Sequence, residues 1–248
     1  MLYLCTVFVI YPMNVIIGLA SAGIHGFESP AAGYQEKALS LNNLIVSHPS
    51  ATVFAEVTDD AMTGLGLFTG DLLVVDKSLT ATRGDVVLAL VDGETVCRQL
   101  DHHQLHANTN AHYSEISVTD GIEIQGVAIC SVRFHRRKRD PLVLKSLDDL
   151  LIESTFVGRA RGESMTGVGI HSGDILIVSR QLTAGSGDVI IAIYENEFVC
   201  KVLDLTNSRL LSANDDFEPV LIKPDDRFWC EGVVPASIRL LKQPSLLL

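Results

Sequence analysis

Ser164 and Lys201 are the two residues of this chain whose types and surroundings suit nucleophilic chemistry together. A serine hydroxyl is a weak nucleophile that needs a base, and a lysine serves as one only in its neutral form. Ser164 lies in Gly162-Glu163-Ser164-Met165, directly after an apolar run and before a glycine-punctuated turn. A hydroxyl placed there can be presented at a surface, with the backbone N–H groups around Glu163 and Met165 supplying an oxyanion hole. No His-Asp pair stands at a matching position. Lys201 follows apolar Phe198, Val199 and Cys200 at the close of a strand, where desolvation would disfavour the ammonium and leave an amine able to take the serine proton. Taken singly, each residue has an ordinary reading: an exposed serine, and a lysine that snorkels to water.

An internal repeat sharpens the chemical reading. Thr63-Gly64-x-Gly66-x₃-Gly70-Asp71 recurs without a gap, 103 residues on, as Thr166-Gly167-x-Gly169-x₃-Gly173-Asp174. The same register joins Gly84-Asp85-Val86 to Gly187-Asp188-Val189, and Val96-Cys97-Arg98 to Val199-Cys200-Lys201. A period this long implies duplicated domains rather than solenoid units. The first copy carries Ala61 where the second has Ser164, and Arg98 where the second has Lys201. Alanine has no nucleophile, and a guanidinium stays protonated and cannot act as a base. Only the second copy is therefore expected to be catalytic.

Composition bounds the class. A chain of 248 residues suits two small domains, and 47% hydrophobic residues with only 6% aromatics suit aliphatic strands. A net charge of −11 opposes direct nucleic-acid binding, which needs clustered Lys and Arg to displace counterions from phosphates. The five cysteines are widely spaced with no C-x-x-C, which argues against a disulfide framework or a zinc site. Cys97 and Cys200 occupy equivalent strand positions and read as small core residues in a reducing compartment. His102, His103 and His106 lie in a polar stretch after a strand and read as a solvated loop. Neither metal nor cofactor is expected.

The positioning elements read as short strands. Val53–Val57, Leu72–Val75, Val86–Leu90 and Glu94–Cys97 are apolar, mostly β-branched-rich runs, and their counterparts are Phe156–Ala160, Ile175–Val178, Val189–Ile193 and Phe198–Cys200. Asp92-Gly93 and Glu195-Asn196 read as tight hairpin turns. Long helical periodicity is absent, so the fold class is all-β: two tandem domains of short, strongly bent strands behind an apolar N-terminal arm. The divisions expected are 1–35 for the arm, 36–134 for the first domain, 135–146 for a charged, solvated linker and 147–243 for the second domain. From Met1 to Ile24 there is no charged side chain. Pro12 and Asn14 interrupt this run and no basic n-region precedes it, so a docking arm is favoured over a membrane or signal segment, with membrane association through residues 1–24 left open.

Gly162-Glu163-Ser164-Met165, the following Gly173-Asp174 and Gly187-Asp188, and Phe198-Val199-Cys200-Lys201 resemble the serine/lysine peptidase domain of LexA and UmuD, self-cleaving proteins of the bacterial SOS response. The first copy is more similar still to UmuD, through Gly26–Tyr34, Leu41-Asn42, His48-Pro49-Ser50-Ala51-Thr52 and Gly70–Asp76. The resemblance implies a cytoplasmic self-cleaving serine endopeptidase that acts as an accessory factor for translesion DNA synthesis. It also implies two partners: a RecA filament on single-stranded DNA as trigger, and a Y-family (UmuC-like) polymerase. Family members are cut in the arm between Cys or Ala and Gly. The aligned bond here is His25-Gly26, and Ala22-Gly23 lies three residues upstream with the smaller residue before the bond. No helix-turn-helix fits in the first 25 residues, so operator binding is not expected.

UmuD-like proteins act as dimers, and a fused duplication would supply both partners as an intramolecular pseudo-dimer, with a homodimer of the whole chain still open. Two other readings remain. One is a non-enzymatic polymerase-binding module with an unused Ser164–Lys201 pair. The other is a membrane-anchored serine/lysine peptidase, somewhat like bacterial signal peptidases.

Overall fold

The computed structural model describes residues 8–12, 40–109, 113–118, 122–136, 144–152 and 154–243. A first strand, β1 (Phe8–Pro12), belongs to the arm. The first repeat begins at the short helix α1 (Leu41–Ile45), where Ser40 caps the N-terminus by accepting from the Asn43 N–H at 3.0 Å. Its strands are β2 (Thr52–Glu56), β3 (Leu72–Asp76), β4 (Val86–Val91), β5 (Glu94–Asp101), β6 (Gln104–His106), β7 (Ile116–Ser117) and β8 (Glu123–Phe134). The second repeat runs through β9 (Thr155–Arg159), β10 (Ile175–Ser179), β11 (Val189–Tyr194), β12 (Glu197–Asp204), β13 (Arg209–Leu211), β14 (Val220–Leu221) and β15 (Phe228–Leu240). The protein is all-β with antiparallel pairing, as the punctuated strand pattern implied.

Turn chemistry fixes the hairpins. Asp92 and Gly93 sit at φ 51° and 85°, and Glu195 and Asn196 at 48° and 69°. Two consecutive residues at positive φ match the right-handed twist of the flanking strands, so β4 pairs with β5 and β11 with β12 in one register, Val91 opposite Glu94 and Tyr194 opposite Glu197. The strands are bent by register shifts at equivalent places, between Leu88 and Ala89 against β8 and between Ile191 and Ala192 against β15.

The repeats are joined edge to edge. β8 and β15 pair antiparallel, Cys130–Phe134 against Ala236–Leu240, with Val132 opposite Ile238. Val132 also faces Leu72 of β3 and Ile238 faces Ile175 of β10, the same place in each repeat. A local two-fold axis therefore passes between Val132 and Ile238. Contacts recur on both sides of it. The N–H groups of His135 and Arg136 donate to the Pro235 carbonyl, and those of Leu241 and Lys242 to the Ile129 carbonyl. Arg136 lies 3.6 Å from Asp188, and Lys242 lies 2.7 Å from Asp85. One apolar cluster spans both repeats, gathering Leu41, Ile45, Val74 and Val132 with Leu147, Val157, Ile177 and Ile238.

Two segments differ from a simple arm and a solvated linker. β1 is docked on β9, with Phe8 opposite Arg159 and Pro12 opposite Phe156, so the start of the chain pairs with the second repeat rather than the first. At the far end of the linker Leu144 is buried in the shared cluster, and Ser40 and the Asn42 N–H both bond Asp148 just beyond it. No helix among the described residues is long and apolar enough to cross a membrane.

Candidate active site

Ser164 follows β9 by five residues, on a loop that enters a 3₁₀ turn, Thr166–Val168, closed by Gly169 at φ 76°. The loop is clamped by the segment after β13. The Ala213 N–H donates to the Ser164 carbonyl at 2.8 Å, the Gly167 N–H to the Ala213 carbonyl at 2.5 Å, and Asn214 Nδ2 to the Glu163 carbonyl at 3.0 Å. Gly167 is required by that approach: a Cβ there would stand 2.3 Å from the Ala213 oxygen. The carbonyl of Glu163 also accepts from Thr166 Oγ1, and that of Met165 from the Val168 and Ile170 N–H groups. The Met165 side chain is buried with Phe156, Ile170 and Cys200. Around the nucleophile candidate, the backbone is thus set from both sides.

Lys201 comes from β12, opposite Ile190 of β11. It does not close the strand as expected but sits within it, since β12 continues to Asp204. Its Nζ donates to Ser164 Oγ at 3.0 Å and to Ser212 Oγ at 2.8 Å, and lies 5.8 Å from the centre of the Phe217 ring. Ser164 is 0% exposed and Lys201 2%. The hydroxyl expected at the surface is therefore enclosed, because the segment from Ser212 to Phe217 packs against the loop and the lysine. Burial removes both groups from bulk water, where an ammonium is favoured.

The first repeat retains the scaffold and changes the functional groups. The Asn108 N–H donates to the Ala61 carbonyl at 2.7 Å, and the Gly64 N–H to the Asn108 carbonyl at 2.6 Å, the same clamp as in the second repeat. Ala61 is fully buried. Arg98 Nη1 donates to Asp59 at 2.9 Å and to the Cys97 carbonyl at 2.7 Å, with Tyr113 stacked 5.1 Å away. Asp59 stands where the second repeat has Gly162.

Ser212 escaped the reading from sequence. The turn between β5 and β6 is His102-His103, whereas that between β12 and β13 is Leu205–Ser208, two residues longer. An ungapped register stops matching there and sets position 107 against Leu210. Counted from the ends of β6 and β13, the partner of Ser212 is Ala107. A gapped alignment of the two repeats would have exposed the Ala107/Ser212 difference.

Cys97, Cys130 and Cys200 are buried thiols, and burial pushes Cys97 up to about 12. Among the described residues no group of three or more His, Cys, Asp and Glu side chains is gathered as for a metal ion. The candidate scissile bonds, Ala22-Gly23 and His25-Gly26, lie outside the described residues.

A duplicated fold with a hydroxyl and an amine joined in only one copy invites comparison with known families, and the Peptidase S24-like family model matches twice, over residues 14–129 and 139–234. The chain belongs to the Peptidase S24-like family. Both repeats are thus S24-like units, in a family of serine peptidases. The chain is 45% identical over 75 residues to protein SamA of Salmonella typhimurium, an alignment covering 30% of this chain and 54% of that protein. It is 44% identical over 75 residues to protein MucA of Escherichia coli, covering 30% and 51%. To the LexA repressor of Syntrophotalea carbinolica it is 41% identical over 86 residues, covering 34% and 43%. The chain spans about half the length of the curated relatives it matches, and is LexA- and UmuD-like within S24.

Proposed function

We propose that this protein is a self-cleaving serine/lysine peptidase of SOS mutagenesis, in which the second S24 unit (147–243) cuts the arm (1–35) carried by the first (36–134). The observation that carries the reading is the 3.0 Å contact between Lys201 Nζ and Ser164 Oγ inside a water-excluded site, at positions held by Arg98 and Ala61 in the other copy. Neutral Lys201 takes the hydroxyl proton as Ser164 Oγ bonds the scissile carbonyl carbon, and backbone amides flanking Ser164 stabilise the oxyanion. The Lys201 ammonium then returns that proton to the leaving amide nitrogen as the C–N bond breaks. Water, deprotonated by the same amine, hydrolyses the acyl-enzyme and frees the serine.

The pairing of β1 supports cleavage of the arm within its own chain. β1 pairs with β9, Pro12 lying opposite Phe156. Ser164 is eight residues beyond Phe156, so the chain path holds it within ~27 Å, and the ten residues from Pro12 to Ala22 can reach ~33 Å. Both Ala22-Gly23 and His25-Gly26 are therefore within range. The resemblance to LexA and UmuD supports a cytoplasmic role as accessory factor to a Y-family polymerase, with cleavage promoted by a RecA filament on single-stranded DNA.

The test is to hold the purified chain at pH near 10, where a lysine begins to deprotonate, and follow its mass. A fragment beginning at Gly23 or Gly26 is expected from wild type and none from Ser164→Ala. Equal cleavage of both would sink the Ser164 assignment, and cleavage of neither, with intact polymerase binding, would favour a non-enzymatic module.

A further inference from the structure

We infer that Ser212 is the positioning residue of this site, holding the Lys201 amine so that its lone pair faces Ser164; the inference rests on the Ser164–Lys201 reading above. A neutral primary amine carries two hydrogens and one lone pair. As a base toward Ser164 it must direct the lone pair at that hydroxyl and both hydrogens elsewhere. At the end of a four-carbon stem, nothing in the amine itself sets this rotation. Ser212 Oγ accepts from Nζ at 2.8 Å while Ser164 Oγ stands at 3.0 Å from the same nitrogen. One N–H bonded to Ser212 turns the lone pair toward Ser164. When Lys201 becomes an ammonium, the same hydroxyl remains as an acceptor in a site from which water is excluded.

The first repeat supplies an independent control. Its clamp keeps every backbone bond of the second: Asn108 to Ala61 and Gly64 to Asn108 repeat Ala213 to Ser164 and Gly167 to Ala213. A hydroxyl needed only to hold that loop would be needed in both copies. Ala107 nevertheless replaces Ser212, beside Ala61 for Ser164 and Arg98 for Lys201. Three functional groups are absent together from a scaffold that persists, which ties Ser212 to the lysine's chemistry rather than to folding. Because the matching position is shifted by the two-residue longer turn, the link emerges by counting from the ends of β6 and β13 and not from an ungapped register.

The experiment measures first-order self-cleavage of the full chain from pH 7 to 10.5 in wild type, Ser164→Ala, Ser212→Ala, Ser212→Thr and Ser212→Val, with thermal unfolding of each. Thr and Val are matched in shape and differ by the hydroxyl. Ser164→Ala is expected to be inert. Ser212→Ala and Ser212→Val are expected to cleave about tenfold more slowly or worse at every pH, the value of one hydrogen bond, whereas Ser212→Thr recovers most of the rate. Cleavage at the wild-type rate by Ser212→Ala, or equal loss in Thr and Val with unchanged unfolding, would overturn the inference and leave the dyad standing. Cleavage by Ser164→Ala would instead overturn the dyad, and an inert Ser212→Val beside an active Ser164→Ala would move the nucleophile to Ser212.

Discussion

Arg239 Nη1 donates to the carbonyl of Gly66 at 2.8 Å, across 173 residues of sequence and from one repeat to the other. The same guanidinium bonds Leu65 O in the first repeat, and Gly169 O and both Asp174 oxygens in its own. Arg133, its counterpart, bonds both Asp71 oxygens and Gly66 O, and its Nη1 would lie 1.2 Å from a Cβ at Gly169. Each arginine thus neutralises an aspartate of its own repeat and fits against a glycine turn of the other. The lining of the junction is Gly66, Asp71, Ser131 and Arg133 with Gly169, Asp174, Ser237 and Arg239.

Gly66 tests this junction. It lies at φ +73° and a Cβ would meet Arg239 Nη1 at 1.5 Å, whereas Gly70, at φ +91°, has nothing within 4 Å of its Cβ direction. Gly70→Ala should cost about 1–2 kcal/mol for the left-handed backbone alone. Gly66→Ala should cost more by displacing a part-buried, ion-paired guanidinium, and the difference is read from denaturant unfolding midpoints.

Lys201→Arg should abolish self-cleavage, since a guanidinium stays protonated and cannot take the serine proton, and should lower the unfolding temperature, since Gly162 offers no carboxylate where Arg98 has Asp59. Ala61→Ser should confer no cleavage on a Ser164→Ala chain, because Arg98 remains a cation paired with Asp59 and Ala107 supplies no acceptor. Fragment appearance on a gel over a day at pH 10 decides both.

Cleavage should keep the same first-order rate over a hundredfold dilution. The β1–β9 and β8–β15 pairings join the start of the arm and the two repeats within one chain, and an intramolecular step has no concentration dependence. A rate proportional to concentration would show that two chains must meet.

His135 should make the junction acid-sensitive. Its N–H donates to Pro235 O and its Nε2 lies 2.8 Å from Ser237 Oγ. Burial, with the nearby Arg133 charge second, lowers it from 6.5 to about 4. The unfolded chain therefore binds a proton before the folded one does, so stability is fully present above pH 6.5 and is lost as pH falls toward 4. His135→Gln should flatten the fall in unfolding midpoint between pH 7 and 5 relative to wild type.

Local information accounts for what was legible without coordinates. Strand punctuation and the residues of the two tight turns act through neighbouring backbone angles, so Asp92-Gly93 and Glu195-Asn196 announced their hairpins, and a residue-by-residue repeat announced both S24 units. Ser164 and Lys201 stood out because a second copy lacked them. Three relationships had no local signal. The Val132–Ile238 pairing joins strand edges that any antiparallel partner could satisfy. The docking of β1 on β9 rather than on β2 is a choice between homologous edges. The enclosure of Ser164 depends on the Ser212–Phe217 segment arriving from the far side of β13. The amino-acid sequence by itself determined the repeated strand pattern and the types of side chain at the candidate site, because those follow from side-chain chemistry and backbone preference. Only the tertiary structure decided which edges meet, that water is kept from the amine, and that Ser212 reaches it, because these depend on long-range packing among segments that the sequence holds far apart.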